Sequence, residues 1–320
     1  MEQKAIPEVM LNSGHTMPMF AFGTTALLLP PNDELIPIII DAIQAGYRHF
    51  DTAAMYGSEE ALGLAIVQAQ NQGLIKNRGD IFITTKLWCT DAHPDLVLPA
   101  LKNSLQRLGL EYVDLYLIHF PVRLRPNEGI FPKGEGVLPF DMKGTWEAME
   151  ECSKLGLTKS IGISNFGAKK LSELLQNATI PPAVNQVEMN VAWQQGNLRK
   201  FCQNKGIHMS AWSPLGANGA IWGSLAVMES PILKDIAITP GKSVPQIALR
   251  WVLEQGVTPV VKSFNKIRMR ENLHIFNWEL SADDLAKIKQ IPQRRAGLVR
   301  EFVSENGPYK TLEDLWDGEL

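Results

Sequence analysis

Four side chains capable of acid–base chemistry follow short apolar segments of the sequence: Asp51, Tyr56, Lys86 and His119. A phenol with an ordinary pKa of about 10 is a poor acid at neutral pH unless a nearby charge stabilises its phenolate. The ammonium group of Lys86 can supply that charge, and contact with it should lower the pKa of Tyr56 by roughly one to three units. Asp51 would keep the lysine charged and oriented, while His119 would hydrogen-bond a substrate oxygen. Together these residue types predict a proton-delivery unit.

Each of these residues also has an ordinary structural interpretation. Asp51 could cap a helix, and Lys86 could be a solvated strand end. His119 could be a satisfied core histidine, and Tyr56 an amphipathic residue at a rim. Functional groups are a minority of such positions, so any one residue taken alone favours the structural interpretation. The shared position of all four at the ends of neighbouring apolar segments favours the catalytic one.

Eight short apolar segments alternate with amphipathic ones, and this alternation predicts where the four side chains meet. The apolar segments are FAFGTT, RHFDTA, IFITTK, VDLYLIH, KSIGIS, VNQVEM, IHMSAWS and TPVVKS. Between them lie helical patterns such as ELIPIIIDAIQAG and SVPQIALRWVLEQG. Continuously apolar strands separated by helices indicate a parallel sheet covered on both faces, and eight such units close into an α/β fold, the (β/α)8 TIM barrel. Functional groups of such barrels gather at the C-terminal ends of the strands.

Other features of the sequence complete the predicted architecture. A doubly wound sheet is the competing fold, but the Gly-x-Gly-x-x-Gly sequence that would follow its first strand is absent. The apolar runs around Asn12, Ser13 and Gly14 predict an N-terminal β-hairpin. Residues 122–142 and the tail after about residue 293 are predicted to be long loops over the C-terminal face. No linker interrupts residues 1–320, so we expect a single domain.

The composition excludes several classes of function. A formal net charge of −3 without long runs of one sign gives no reason to expect nucleic acid or an anionic membrane as partner. Cys89, Cys152 and Cys202 are too far apart for a disulfide framework or a four-ligand zinc site, so no metal is expected. The N-terminus has no apolar leader, and no segment approaches the ~20 apolar residues of a membrane span. We therefore expect a cytoplasmic protein that binds a small molecule.

Three ordered motifs stand out in the sequence: GYRHFDTAAMYGSEEALG at 46–63, MEECSKLGLTKSIGISNF at 149–166 and VVKSFNKIRMRENLHI at 260–275. They resemble the signatures of the aldo-keto reductases. The chain looks most like plant members of this family, such as the chalcone, codeinone and methylecgonone reductases. The resemblance implies a (β/α)8 barrel that binds NADPH or NADP+ and reduces a ketone or aldehyde of a plant natural product to an alcohol. It also implies that the four residues above are the catalytic tetrad.

The resemblance further implies which residues bind the cofactor. Ser164, Asn165 and Gln186 would hold the nicotinamide carboxamide, and Trp212 would stack on the ring where many relatives carry tyrosine. A larger aromatic face should still support stacking. The other cofactor-binding residues that it implies are Gly23, Thr24, Asp51, Ser213, Leu215, Lys262, Ser263, Phe264, Asn265 and Arg268, with Glu271 and Asn272 facing the adenine.

Two of these groups have a clear physical rationale. Lys262, Ser263, Asn265 and Arg268 place two cations and two neutral donors in one short segment, which suits a 2′-phosphate and favours NADPH over NADH. A solvated basic helix is the structural alternative. The loop at 216–219 would cover the pyrophosphate, where its glycines permit close approach of the backbone.

The substrate pocket is predicted from residues near the strand ends and from the two long loops. Thr25, Met55, Trp88 and Phe120 would line it, and core packing is the alternative for the aromatic pair. Because these side chains are mostly apolar, we expect a hydrophobic or aromatic carbonyl compound as the substrate. The protein is expected to be a monomer.

Other interpretations stay open at this point. Arg123, Arg125 and Lys133 could meet an anionic substrate, although solvated loop charges are the favoured interpretation. A cofactor-binding barrel could act as a regulatory subunit or sensor with little turnover, but the complete tetrad argues against this. A barrel glycosidase would need two carboxylates, and its candidates are Glu147, Glu150, Glu151 and Glu188.

Overall fold

The computed structural model describes residues 5–126, 128–129, 132, 136–239 and 241–320. Its strands are Glu8–Met10 (β1), Thr16–Pro18 (β2), Ala21–Gly23 (β3), His49–Asp51 (β4), Phe82–Leu87 (β5), Val113–Ile118 (β6), Arg123–Leu124 (β7), Val137–Leu138 (β8), Thr158–Ser164 (β9), Val184–Glu188 (β10), His208–Trp212 (β11) and Thr258–Val261 (β12). Eight of them close into a barrel in the order β3, β4, β5, β6, β9, β10, β11, β12. All neighbours in this barrel are parallel. The predicted (β/α)8 barrel is confirmed, and the doubly wound alternative is wrong.

Helices cover the outside of the barrel. They are Asn32–Ala45 (α1), Glu59–Asn71 (α2), Val97–Leu108 (α3), Met142–Lys154 (α4), Ala168–Asn177 (α5), Gly196–Asn204 (α6), Pro231–Ile238 (α7), Val244–Glu254 (α8), Lys266–Asn272 (α9), Ala282–Ile288 (α10) and Leu312–Trp316 (α11). The helical patterns of the sequence correspond to α1–α6 and α8. The other four have only five to eight residues, too few turns for an apolar period to stand out.

The central strands are apolar because both of their faces are covered. Every residue of β5 and β6 is buried, between the barrel interior on one side and the helices on the other. Two charged residues lie within these strands, Lys86 in β5 and Asp114 in β6, and the side chain of Lys86 is fully buried. Among the described residues, no helix is both long and apolar enough to cross a bilayer.

The predicted N-terminal hairpin is confirmed, and it closes the end of the barrel opposite to the predicted site. Strands β1 and β2 pair in antiparallel register. Leu11 and Met17 pack with Leu115 from β6, and the Asn12 amide donates a hydrogen bond to the carbonyl of Pro182 at 3.0 Å. The hairpin therefore covers the N-terminal end of the barrel.

The two segments predicted as loops contain short regular elements. The first forms a two-stranded hairpin from β7 and β8, and the second forms α11 and a single 3₁₀ turn at Arg300–Phe302. Elements of two to five residues carry too little periodicity for detection from sequence. The described parts of both segments lie over the C-terminal end of the barrel, as predicted, because their apolar residues share one cluster with Trp88 and Phe120.

Candidate functional site

A buried ion pair lies at the C-terminal end of the barrel. The Lys86 ammonium is 2.5 Å from Oδ1 of Asp51, and the exposed fractions of the two side chains are 0% and 4%. The same nitrogen donates to the carbonyl oxygen of Thr52 at 2.9 Å, while Oδ2 of Asp51 accepts a hydrogen bond from the Gln186 amide at 2.8 Å. Such a pair is stable only when its remaining donors and acceptors are satisfied, and these contacts satisfy them.

The phenol of Tyr56 lies between the lysine and the histidine. Its oxygen is 3.4 Å from Nζ of Lys86 and 3.3 Å from Nε2 of His119. Asp51 is the last residue of β4, Lys86 the last but one of β5, and His119 the first after β6. The structure therefore brings the four predicted residues together, as expected from adjacent parallel strands.

Buried hydroxyl groups hold the turn that carries Tyr56. Ser58 Oγ lies 2.7 Å from Thr24 Oγ1 and 2.8 Å from Thr52 Oγ1, and Thr24 also donates to the carbonyl oxygen of Asp51 at 3.0 Å. All three hydroxyl residues are fully buried. Thr24 is one of the predicted cofactor-binding residues, and its hydroxyl forms hydrogen bonds inside the protein that hold the Tyr56 turn.

Burial dominates the acidity of Tyr56, which corrects the expectation from sequence. Desolvation raises the pKa of Tyr56 above its usual value, and the opposing charge of Lys86 does not overcome it. Burial also disfavours the charged form of Lys86, but the attraction of Asp51 and Tyr56 outweighs it and leaves the lysine pKa raised. Tyr56 is therefore a protonated phenol beside a permanent ammonium charge. The lysine stabilises the phenolate as it forms, without ionising the tyrosine beforehand.

His119 is held in its neutral form. Burial, and then the charge of Lys86, hold the pKa of His119 well below its usual range. Its backbone carbonyl accepts a hydrogen bond from the Asn165 amide at 2.9 Å, and its ring makes an edge contact with the Trp88 indole. A neutral imidazole carries one proton, and with that proton on Nε2 it would donate towards the space beside Tyr56.

The residues predicted to hold the nicotinamide are contiguous with this site. The Ser164 hydroxyl donates to the backbone of Gln186 at 2.7 Å, and Asn165 Nδ2 donates to Ser164 Oγ at 3.1 Å. Asn165 has a left-handed φ of 64°, which turns the chain sharply after β9. The Trp212 indole donates to Oδ1 of Asn165 at 3.0 Å. The indole therefore fixes the orientation of this amide, a contact that phenylalanine could not make.

The loop after β11 has the backbone form that close approach to a ligand requires. Gly216 has φ of 80°, and a Cβ there would lie 2.7 Å from the carbonyl oxygen of Ser224. Ser213 also has a positive φ of 52°, and its hydroxyl is 3.4 Å from the Trp222 indole nitrogen. Leu215 is partly exposed within the same loop. These residues form a tight turn directly after the strand end.

Two cations without acidic partners lie after β12. Neither Lys262 nor Arg268 belongs to an ion pair of the described residues. Burial and the nearby charge of Arg268 lower the pKa of Lys262, whose ammonium lies 5.1 Å from the Phe264 ring centre. Like charges placed together without a counter-ion suit an anion such as the 2′-phosphate of NADPH.

The remaining predicted adenosine contacts divide into exposed and internal side chains. Glu271 is exposed, whereas Asn272 is buried beside the Tyr47 hydroxyl. Asn265 caps α9 by accepting hydrogen bonds from two backbone amides, and the Ser263 hydroxyl accepts from the Asn265 amide at 3.3 Å. Gly23 ends β3 beside β12. The side-chain amides of Asn265 and Asn272 thus already form hydrogen bonds within the protein.

Apolar side chains cluster beside His119, on the side of the site where the entrance is predicted. Trp88 is buried, Phe120 and Met55 are partly buried, and all three belong to one cluster with Phe302 from the tail. The Phe120 ring stacks on His119 and meets Phe302 edge to face, with ring centres 5.5 Å apart in the second pair. Thr25 is partly exposed in the loop after β3. The predicted aromatic residues therefore adjoin the tetrad.

The charged residues of the alternative interpretations have other positions. Arg123 is partly buried and Arg125 is exposed, while Lys133 lies outside the described residues. Glu150 accepts hydrogen bonds from two consecutive backbone amides, at Thr179 and Ile180. Glu188 likewise binds backbone amides of the tail. Neither carboxylate is paired with another across an open cleft, as glycosidase chemistry needs.

Sequence reasoning missed residues that act through their neighbours. Glu188 was considered only as a glycosidase candidate, although its place as the last residue of the buried strand β10 puts it at the end of the barrel where functional groups gather. Ser58 lies within the first signature motif, but its residue type alone does not distinguish it from an ordinary turn residue, and Gly297 lies outside all three motifs. Thr24, one partner of Ser58, and Glu188, the partner of Gly297, come from other parts of the chain, which the sequence alone does not reveal.

The site thus places a protonated tyrosine beside a buried ammonium group at the C-terminal end of a (β/α)8 barrel. Residues 20–293 match the family model described as "Aldo/keto reductase family", and the chain belongs to this family. It is accordingly an NADP-dependent oxidoreductase, as the three signatures predicted.

Similar proteins confirm the resemblance to plant members. The chain is 57% identical over 321 residues to Protein REDOX 2 of Catharanthus roseus and 56% identical over 321 residues to rhazimal reductase 2 of Alstonia scholaris; each match covers 100% of this chain and 99% of the relative. Deoxymugineic acid synthase 1 of Hordeum vulgare is 53% identical, with 95% and 97% covered. Among solved structures, an aldo-keto reductase of Bombyx mori in complex with NADP is 37% identical with a TM-score of 0.85, over 95% of this chain and 98% of that one.

Proposed function

We propose that this chain reduces a ketone or aldehyde to an alcohol with NADPH, and that Tyr56 supplies the proton. The observation that carries this proposal is the position of one ammonium group. Lys86 lies 2.5 Å from the Asp51 carboxylate and 3.4 Å from the Tyr56 hydroxyl, fully shielded from solvent. This placement gives a phenol the neighbour that it needs to act as a general acid.

The roles of the four residues follow from their charges. Tyr56 is protonated at neutral pH, so it can give a proton to the substrate oxygen as negative charge develops there. Lys86 stabilises the resulting phenolate, and Asp51 keeps Lys86 charged and in place. Neutral His119 donates a hydrogen bond to the same oxygen and so orients the carbonyl group. NADPH, when bound, supplies the hydride that the carbonyl carbon receives.

Each chemical group of the cofactor is assigned to the residues whose charge or position suits it. Lys262 and Arg268 would hold the 2′-phosphate, because both are cations without an acidic partner in the described structure. Ser164, Asn165 and Gln186 would hold the carboxamide, since they border the tetrad. Trp212, Ser213 and Leu215 would contact the nicotinamide ring and the pyrophosphate, and Gly23, Phe264 and Glu271 would complete the site.

The substrate is proposed to be a hydrophobic or aromatic carbonyl compound of plant specialised metabolism. Met55, Trp88 and Phe120 line the entrance with apolar surface, and Phe302 of the tail continues it. A pocket of this kind retains apolar ligands and orients them through a few polar groups, here the oxygen-binding pair Tyr56 and His119. The name of the relative from Alstonia scholaris, a reductase of rhazimal, supports a plant metabolite.

Replacing Tyr56 with phenylalanine tests the proposed proton donor. Turnover, followed by NADPH absorbance with aldehydes, aromatic ketones, steroids and alkaloid ketones, should fall about 10²- to 10⁴-fold. NADPH affinity should stay unchanged, because the hydroxyl is assigned only to the substrate. The matched control is Tyr112→Phe, since Tyr112 also contacts a lysine, Lys159, at 3.3 Å, but at the opposite end of β6.

Two results would count against this function. Full activity of the Tyr56→Phe variant would show that Tyr56 is not the proton donor. Wild-type protein that binds NADPH tightly without consuming it across the whole panel would favour a regulatory or sensor barrel instead.

We also propose that the protein is a cytoplasmic monomer with a single domain. The three cysteines are free and buried, which supports a reducing compartment. Lys170 of α5 forms an ion pair with Asp317 of the tail at 2.5 Å, so the end of the chain is tied to the barrel. Size-exclusion chromatography with light scattering should give the mass of one chain, and a dimer mass would contradict the proposal.

A further inference from the structure

A buried carboxylate at the end of β10 binds the backbone of the tail. The side-chain oxygens of Glu188 accept hydrogen bonds from the amide of Ala296 at 3.2 Å and from the amide of Gly297 at 2.9 Å. Glu188 is 1% exposed. Burial raises its pKa, while the Gly297 amide, the charge of Arg295 and the Ala296 amide oppose that rise. The carboxylate is therefore an anchor built from a charge and two consecutive amides.

The anchored segment lies directly against the predicted nicotinamide-stacking residue. Glu188 and Trp212 are partners in the register of β10 and β11. A Cβ at Gly297 would lie only 2.5 Å from Cη2 of Trp212 and 3.3 Å from a carboxylate oxygen of Glu188. A side chain at position 297 would therefore push the segment and the indole apart, so this close approach depends on glycine.

The same segment reaches the substrate side of the site. The carbonyl of Leu298 accepts a hydrogen bond from the Trp316 indole at 2.9 Å. A few residues further on, Phe302 meets the Phe120 ring edge to face. On its other side, Trp212 donates to Asn165. Segment 295–298 thus connects a predicted cofactor contact to the apolar entrance.

We propose that Glu188 is a positioning residue, which holds segment 295–298 against Trp212 and so sets both the place of the indole beside the cofactor and the wall of the carbonyl pocket. This inference rests on the proposed function for its catalytic consequence, but not for the anchor itself. Glu188 acts through the tail and through Trp212, without contact with the substrate.

The test compares Glu188→Gln with Glu150→Gln in the full-length protein. Both glutamates are buried, and each accepts hydrogen bonds from two consecutive backbone amides, but Glu150 lies away from the site. A glutamine removes the negative charge that strengthens the hydrogen bonds of each anchor. At position 188 it also places an N–H donor about where Oε1 now lies 3.2 Å from the Ala296 amide, which weakens that anchor further. Hydrogen exchange of the protein without ligands should accelerate about tenfold or more at residues 296–298 in Glu188→Gln. In Glu150→Gln it should accelerate at residues 179–180 instead.

A second measurement links the anchor to the site. Glu188→Gln should weaken NADPH binding, measured by fluorescence titration, about 3- to 10-fold, and should raise the KM of bulky ketones more than that of small aldehydes. Glu150→Gln should change neither quantity. Gly297→Ala should reproduce the loss of NADPH affinity, because its Cβ displaces the segment from Trp212. This variant also provides the test if Glu188→Gln does not fold.

The outcomes separate the two proposals. Unchanged exchange at 296–298 in Glu188→Gln would overturn the anchor, whatever reaction the protein performs. Faster exchange with unchanged NADPH affinity and unchanged KM values would overturn the coupling to the site, as would normal NADPH affinity of Gly297→Ala. If the wild-type protein is inactive but Glu188→Gln and Gly297→Ala still lower its NADPH affinity, the proposed reaction is overturned and the anchor stands.

Discussion

Replacing Lys86 with methionine removes the ammonium group beside Tyr56 while keeping a side chain of similar length. The distance of 3.4 Å between Nζ and the phenol oxygen sets the size of the effect. With an effective dielectric constant of about 20, the attraction between an ammonium and a full phenolate at this distance is roughly 5 kcal/mol. If about half of the charge has developed in the transition state, the loss is about 2.5 kcal/mol, or nearly 10²-fold in rate.

Single-turnover kinetics with enzyme preloaded with NADPH measures this effect. The rate of NADPH oxidation should fall about 10²-fold, whereas NADPH affinity should stay unchanged because Lys86 is not assigned to the cofactor. Removal of one partner from a buried ion pair also costs about 3–5 kcal/mol of stability. Folding of the variant should therefore be verified by circular dichroism at the assay temperature.

Lys159→Met provides the matched control for this experiment. Lys159 lies 3.1 Å from Asp114 and 3.3 Å from the Tyr112 hydroxyl, which repeats the carboxylate–ammonium–phenol arrangement away from the C-terminal face. This variant should keep the wild-type rate. A folded Lys86→Met protein whose rate lies within threefold of wild type would refute the electrostatic role, and the proton would then have to come from elsewhere.

Three further predictions concern stability and cofactor choice. Burial lowers the pKa of His49 to about 4. As the pH falls below about 6.5, the unfolded state therefore takes up a proton before the folded state does, and stability is lost between pH 6.5 and 4. In urea unfolding, His49 should make the protein about 2 kcal/mol less stable at pH 5 than at pH 8, and His49→Gln should abolish this contribution. Ser58→Ala should lower the free energy of unfolding by about 1–3 kcal/mol, because Thr24 and Thr52 lose a buried partner; an unchanged denaturation midpoint would contradict this. Lys262→Met should weaken NADPH binding about 10- to 100-fold and leave NADH binding unchanged, and equal losses for both dinucleotides in fluorescence titrations would exclude the 2′-phosphate contact.

The barrel and the tetrad could be predicted because their signals are local. The barrel strands are short, largely buried and mostly apolar, and parallel packing places all strand ends on one face, so Asp51, Lys86 and His119 had to converge once the barrel was recognised. The turn that carries Tyr56 follows its strand so closely that the tyrosine had to be near as well.

Other features depend on how deeply a side chain is buried and on contacts between distant parts of the chain, which local sequence patterns do not encode. The proximity of Lys86 to Tyr56 was foreseen, but the direction of the tyrosine pKa depends on how much protein surrounds the phenol, and burial prevails. Thr24 has the same residue type whether it faces a ligand or an internal hydroxyl. The contact of Glu188 with Gly297 joins positions more than a hundred residues apart, and no short motif describes it.

The raised pKa of Tyr56 also bears on the two directions of the reaction. A phenol that stays protonated far into the alkaline range is ready to give a proton, but it cannot accept one from an alcohol until it has ionised. Carbonyl reduction should therefore be nearly independent of pH around neutrality, while alcohol oxidation should accelerate steadily towards high pH. Near neutral pH, the buried phenol is therefore in the protonated form that alcohol formation requires, and not in the ionised form that alcohol oxidation requires.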